Sequence, residues 1–218
     1  MRRVPPTFAF VLSCVLVVAG CTSKGQPEVD PSFTPNTSET ATTSATTGPP
    51  SLPVASLTVT DMPTGWTTST DKTAMSLGEN GCLKTAGRRA ATKTSRYVTF
   101  AGSGGAPVFS ESLALFPATT IASEFATAVK ALDTCKSISI KAGSVTLTGA
   151  LSPTSSPTVG VASRLYTLTA TSGANVLTQY ILLARSTRIL IITSYATVKN
   201  PAIADFLTLS AKAVTKLS

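Results

Sequence analysis

The spacing of apolar residues predicts two amphipathic helices in the second half of the chain. Residues 118–134 repeat apolar side chains at intervals of three and four, which places them on one helix face. The last segment begins with Asn200 and Pro201, a capping residue followed by proline at the first helical position. Because each helix has one apolar face, we expect both helices to pack against another element.

Runs of β-branched and aromatic residues between turn signals predict a sheet. Residues 96–101 and 108–116 flank a Gly-Ser-Gly-Gly turn and predict a hairpin. The run 189–192 is wholly aliphatic and indicates an inner strand that is covered on both faces. Short connections favour antiparallel neighbours, so we predict a single α+β domain with an antiparallel sheet and helices packed on one face. The remaining predicted strands are residues 138–140, 144–151, 159–171, 176–184 and 188–195.

The N-terminus has the three parts of a secretory signal peptide. Arg2 and Arg3 precede an apolar run at residues 8–18, and small residues lead to Cys21. A transmembrane helix is the alternative, but about 13 apolar residues fall short of the ~20 that cross a bilayer. The sequence Val-Ala-Gly-Cys at 18–21 resembles the lipobox of bacterial lipoproteins. This resemblance implies that residues 1–20 are removed and that Cys21 carries a diacylglyceryl thioether.

The segment after the lipobox is polar and unpatterned. Of the 32 residues at 22–53, 19 are Ser, Thr or Pro. Such a composition cannot bury enough apolar area to offset the backbone entropy of folding, so we predict a disordered tether. The predicted organisation is a lipoprotein signal peptide at 1–20, the lipidated cysteine and tether at 21–53, and the α+β domain at 54–218. We therefore expect the domain at the extracytoplasmic face of the cell membrane, with the lipid bilayer as partner through acylated Cys21.

The composition argues against most catalytic sites. The 218 residues include 18 Lys and Arg, 10 Asp and Glu, and no His, for a net charge of +8. Without histidine the chain lacks the base of Ser-His-Asp and Cys-His catalysis and any imidazole metal ligand. The acids show no spacing typical of a paired-carboxylate site. We expect no catalytic residue, no metal and no cofactor; Glu111, within a predicted strand, could pair with an Arg or face solvent.

Two cysteines remain in the predicted domain once Cys14 is lost with the leader and Cys21 is lipidated. An even pair in an exported protein is most simply a disulfide, here between Cys82 and Cys135. Two free buried thiols or a redox pair are the alternatives, although a redox pair prefers a closer C-x-x-C spacing.

Three short motifs carry a family resemblance. They are Asp-Met-Pro-Thr-Gly-Trp at 61–66 after the tether, Cys-Leu at 82–83, and a helix with Phe125, Ala131, Leu132 and Cys135. Together they resemble the actinobacterial family of PknH-like extracellular sensor domains over about residues 57–216. The resemblance implies a sheet-and-helix domain with a cleft that binds an extracellular ligand.

Four residues are candidates for ligand binding. Trp66 stands where the chain enters the domain, and Arg164, Tyr166 and Tyr180 lie on predicted strands. An aromatic ring can stack on a ligand while its polar group forms a hydrogen bond. The alternatives are that Trp66 is a hydrophobic lid on the core and that the tyrosines pack on the sheet surface.

Five closely spaced cations predict an anionic surface as partner. They are Lys84, Arg88, Arg89, Lys93 and Arg96. A patch near a bilayer is attracted to anionic headgroups, although anionic wall polymer or simple solvation would also suit it.

The export signal excludes nucleic acid. We predict an extracytoplasmic lipoprotein that binds an envelope ligand or protein without catalysis; the alternative is a transport-accessory or lipid-carrying lipoprotein.

Overall fold

The computed structural model describes residues 51–70, 95–142, 145–197 and 201–217. Contacts divide the chain into two units, and all described residues belong to the second, Thr46–Ser218. The first unit, Met1–Ala45, lies outside the described residues, and so does Cys21. The signal peptide, the tether and the predicted boundaries between segments therefore stay predictions.

The described residues contain eight antiparallel strands, numbered β1 to β8 along the chain, which form one sheet in the order β1-β2-β3-β8-β7-β6-β5-β4. Helices α1, α2 and α3 and short 3-10 turns at Val59–Asp61 and Ser103–Gly105 complete the described fold. The helices are α1 (Leu52–Ala55), α2 (Ile121–Asp133) and α3 (Ile203–Thr215). The strands are β1 (Thr67–Thr68), β2 (Ser95–Ala101), β3 (Val108–Leu115), β4 (Ile138–Ala142), β5 (Val145–Thr154), β6 (Ala162–Ser172), β7 (Asn175–Arg185) and β8 (Ile189–Thr197).

The strand predictions are confirmed, with ends that shift by a few residues. Strands β2 and β3 form the predicted hairpin, with Ala101 opposite Val108 next to the turn. Strand β8 pairs with β3 on one side and β7 on the other, and it is buried from Ile189 to Ala196. The aliphatic run at 189–192 is therefore an inner strand, as its composition predicts.

The helices lie on both faces of the sheet, so the prediction of helices on one face was wrong. Helix α2 packs on the face that carries Tyr166 and Ile181, which we call the α2 face. Helix α3 packs on the opposite face, the α3 face, with Leu182 and Tyr195. Successive residues of a strand point to opposite sides, and the central strands are apolar at both sets of positions, so each side needs a cover.

Both predicted long helices are present. Helix α2 falls within the predicted 118–134 and buries Ile121, Ala128 and Leu132. Helix α3 begins at Ile203, two residues after the proline that was expected to open it. The carbonyl of Pro201 instead accepts a hydrogen bond from the Tyr180 hydroxyl at 3.3 Å. No helix in the described residues is long and apolar enough to cross a bilayer.

Cys135 follows the last turn of α2 and is buried. It is disulfide-bonded. The expected partner, Cys82, lies outside the described residues, so the pairing of these two cysteines stays a prediction.

Candidate functional site

Residues 52–62, which we call the strap, cross the α3 face just before the chain joins the sheet. The strap starts with α1, where Pro53 occupies a first-turn position that needs no backbone donor. Its apolar side chains enter the α3-face core, which also contains Phe109 and Phe206. Exposed residues lie between these buried positions, at 53–54 and at 58–60, so one side of the strap faces the sheet and the other faces solvent. The buried apolar residues of the strap are Leu52, Ala55, Leu57 and Met62.

A buried carboxylate holds the middle of the strap. Glu111 lies on β3 with 0% of its surface exposed. Its Oε2 accepts a hydrogen bond from the Ser56 hydroxyl at 2.7 Å and another from the Leu57 N–H at 2.9 Å. The other oxygen, Oε1, has no hydrogen-bond partner among the described residues. Burial raises the pKa of Glu111, against the lowering effect of these two bonds and of the Lys216 and Arg96 charges.

An ion pair holds the C-terminal end of the strap to α3. The Asp61 carboxylate lies 2.6 Å from Lys216 Nζ and 3.6 Å from Lys212 Nζ. It also accepts hydrogen bonds from the Thr58 N–H and hydroxyl, which cap the 3-10 turn. Partial burial raises the pKa of Asp61, but the bonds from Lys216 and Thr58 and the Lys216 charge outweigh it and lower that pKa to about 2.

A row of aromatic rings continues from the strap along the α3 face. Trp66 stacks on Tyr195, with ring centroids 6.2 Å apart and planes at 24°. Tyr195 in turn lies 6.2 Å from Phe206 of α3, and Tyr180 stacks on the same phenylalanine at 5.8 Å. Burial, with the nearby Asp205 charge, raises the pKa of Tyr195. Trp66 therefore packs at one end of this core and stays partly exposed, which fits a lid and leaves a ligand-stacking role as a prediction.

Arg164 and Tyr166 form a separate cluster on the α2 face. The Tyr166 hydroxyl donates to Asp133 Oδ1 at 3.0 Å and lies 3.3 Å from the Val129 carbonyl oxygen. Arg164 Nη2 is 3.8 Å from the same Asp133 oxygen. Burial raises the pKa of Tyr166, and the Asp133 carboxylate adds to that rise. The cluster joins the sheet to the last turn of α2.

The four predicted ligand-binding residues therefore do not share one cleft. In the β6–β7 register Tyr166 is opposite Ile181 and Thr167 is opposite Tyr180, so the two tyrosines point to opposite faces. Trp66 and Tyr180 belong to the α3 face, and Arg164 and Tyr166 to the α2 face. A ligand role for either pair stays a prediction.

The predicted anionic-surface patch lies mostly outside the described residues. Lys84, Arg88, Arg89 and Lys93 all belong to the part that is not described. Arg96 is on β2, two residues from the Val98 that pairs with Glu111, and on the same side of the sheet. It is half-buried, and its Nε has no hydrogen-bond partner among the described residues.

The α3-face site joins the strap, the sheet and α3 through one buried carboxylate, one ion pair and an aromatic row. Its chemistry suits the holding of a chain segment. Within the described ranges there is no group of three Asp, Glu, Cys or His side chains that could hold a metal ion. Sequence reasoning missed the strap because Ser56 and Glu111 are 55 residues apart. The one available signal was Glu111 itself, a carboxylate within a predicted strand.

The comparisons with known proteins agree with this architecture. No protein-family model matches the chain, and no curated protein matches it. Among solved structures it is similar to the extracellular domain of PknH from Mycobacterium tuberculosis, with a TM-score of 0.51 and 11% sequence identity. The match covers 75% of this chain and 92% of that one. The fold expected from the family resemblance is confirmed, at an identity that speaks for the fold alone.

Proposed function

We propose that this chain is a membrane-anchored extracytoplasmic lipoprotein whose domain binds a ligand or partner and catalyses no reaction. The observation that carries the proposal is the likeness of the fold to an extracellular domain, over almost the whole of that domain. The lipobox-like sequence at 18–21 supports export and anchoring. The disulfide at Cys135 supports an oxidising compartment, and we propose Cys82 as its partner.

The proposed anchor is the acylated Cys21. Two or three acyl chains hold a protein stably at a bilayer, whereas one chain binds reversibly. The residues from 22 to the start of the strap at Leu52 then serve as the spacer between the bilayer and the strap. The lipid bilayer is thus one partner of the chain, and the domain presents its binding surface to an envelope ligand or protein.

Replacement of the proposed anchor tests the function in the native host. Cys21→Ala is expected to leave the chain unprocessed or to move it from the membrane fraction to the soluble extracytoplasmic fraction. Cys14→Ala is the matched control, since it removes a cysteine of the leader outside the lipobox and is expected to change neither processing nor location. Normal processing and full membrane retention of Cys21→Ala would contradict the proposed anchor.

Native mass spectrometry of the acyl-free domain tests the binding role. A co-purifying protein or small polar ligand supports a sensor-like module. A lipid retained by the domain itself supports the lipid-carrying alternative instead.

A further inference from the structure

The strap has an inner and an outer side with very different environments. Its inner side chains are in the α3-face core, whereas Val54 and Val59 on its outer side are 69% and 43% exposed. Ser51, at its N-terminal end, is exposed where the tether joins. The strap is thus a surface layer whose removal would open Glu111 to water without breaking a strand of the sheet.

Glu111 is enclosed by groups that the strap supplies. Its one satisfied oxygen accepts both hydrogen bonds from strap atoms, the Ser56 hydroxyl and the Leu57 N–H. The second oxygen has no partner among the described residues, so an ionised Glu111 keeps part of its charge uncompensated while the strap is docked. When the strap lifts, both oxygens reach water. The free energy of docking the strap therefore depends on whether the Glu111 carboxyl is protonated.

The positive charges near Glu111 favour its ionised form, but by less than burial disfavours it. Arg96 faces Glu111 from β2, and Lys216 faces it from α3. Lys216 is engaged at 2.6 Å by Asp61, the acid of the strap itself, which also holds Lys212. Burial outweighs these cations, since the pKa of Glu111 is raised. A group whose pKa is raised in the docked state stabilises that state at low pH and loses the effect as the pH rises through that pKa.

We propose that the strap is a proton-linked clasp, which docks firmly when Glu111 is protonated and lifts more readily when Glu111 is ionised. The clasp lies between the tether and the sheet, so it makes the junction of the domain with its anchor sensitive to pH. As a device of an anchored protein it rests on the proposed function. The clasp itself needs only the contacts between strap, β3 and α3.

Hydrogen exchange of the purified full chain tests the proposal. The measured quantity is the protection of residues 52–62, corrected for intrinsic exchange rates, from about pH 4, below the ordinary pKa of a glutamate side chain, to about pH 8. We expect protection of the Leu57 amide to fall at least about threefold over this range. Trp66 emission is a second readout, because the sole tryptophan lies four residues beyond the last residue of the strap and stacks on Tyr195.

Glu111→Gln is the decisive variant, since its neutral side chain keeps an oxygen that can accept the same two hydrogen bonds. Its strap protection is expected to stay high and to change less than about 1.5-fold with pH. Glu124→Gln, the same chemical change on α2 at the opposite face, is expected to keep the wild-type dependence. If Glu111→Gln fails to fold, Ser56→Ala serves instead, because loss of a bond that favours the charged form makes the fall in protection larger.

Two results would overturn the clasp. One is strap protection in the wild-type chain that does not change between about pH 4 and about pH 8. The other is a pH dependence that survives Glu111→Gln unchanged. Either result leaves the proposed function intact when Cys21→Ala still releases the chain from the membrane, and the clasp can be measured in the Cys21→Ala chain if the anchor proposal fails.

Discussion

Removal of one apolar anchor of the strap gives a quantitative test of how firmly the strap is packed. Leu57 is 1% exposed and lies in the α3-face core. Leu57→Ala loses the transfer free energy of the deleted atoms and leaves a cavity between the strap and the sheet. Leucine-to-alanine changes at buried sites cost about 2–5 kcal/mol. Because the outer side of the strap faces solvent, the strap can move toward the sheet and partly fill this cavity. We therefore expect Leu57→Ala to lose about 2–3 kcal/mol of stability.

The assay for Leu57→Ala is equilibrium urea unfolding followed by the fluorescence of Trp66. A lower midpoint with an unchanged slope reports a loss of stability in a two-state transition. The melting temperature should fall by roughly 5–10 °C for a domain of this size. Val54→Ala is the matched control, because Val54 belongs to the same strap but is 69% exposed; its change should stay within about 0.5 kcal/mol. A Leu57→Ala chain as stable as the Val54→Ala chain would refute the packing of the strap on the sheet.

Two further changes test other contacts. Asp61 has a pKa of about 2 against an ordinary 3.8, so it adds stability above its ordinary pKa and loses it as the pH falls through about 2. Asp61→Asn should reduce this loss of stability in acid by about 1 kcal/mol, a value that is discounted for solvent screening. Asp205→Asn, at an exposed position, is the control. A pH dependence of stability that is the same in Asp61→Asn as in the wild-type chain would contradict the ion pair. At Gly149, an added Cβ would lie 2.6 Å from Ala170 Cα. Gly149→Ala should therefore cost about 2 kcal/mol in thermal unfolding, and a melting point equal to that of exposed Ala150→Ser would contradict the close β5–β6 contact.

Local pattern was enough to predict the two long helices and the strands β2 to β8, but it predicted neither α1 nor β1. The apolar spacing around Ala128 and Leu132 marks α2 because it repeats within one helix and needs no knowledge of the partner surface. The aliphatic run at 189–192 marks β8 as an inner strand. The same run already implied a cover on both faces, and the prediction of helices on one face did not use it.

Contacts between distant segments could not be predicted. Alternation gives the two sides of β6 and of β7 separately, but the register decides which sides coincide. A slip of one residue would place Tyr166 and Tyr180 on the same face. The bond between Ser56 and Glu111 likewise depends on how the strap crosses β3, which no local pattern in either segment encodes.

The central claim is that an extracytoplasmic domain is held at the membrane by an acylated Cys21. The most direct test is the intact mass of the mature chain extracted from membranes of its own host. The account predicts a chain that starts at Cys21 and carries the mass of two or three acyl chains, with Cys82 and Cys135 resistant to alkylation before reduction. A mature chain that starts at another residue, or one that starts at Cys21 without acyl mass, would contradict it.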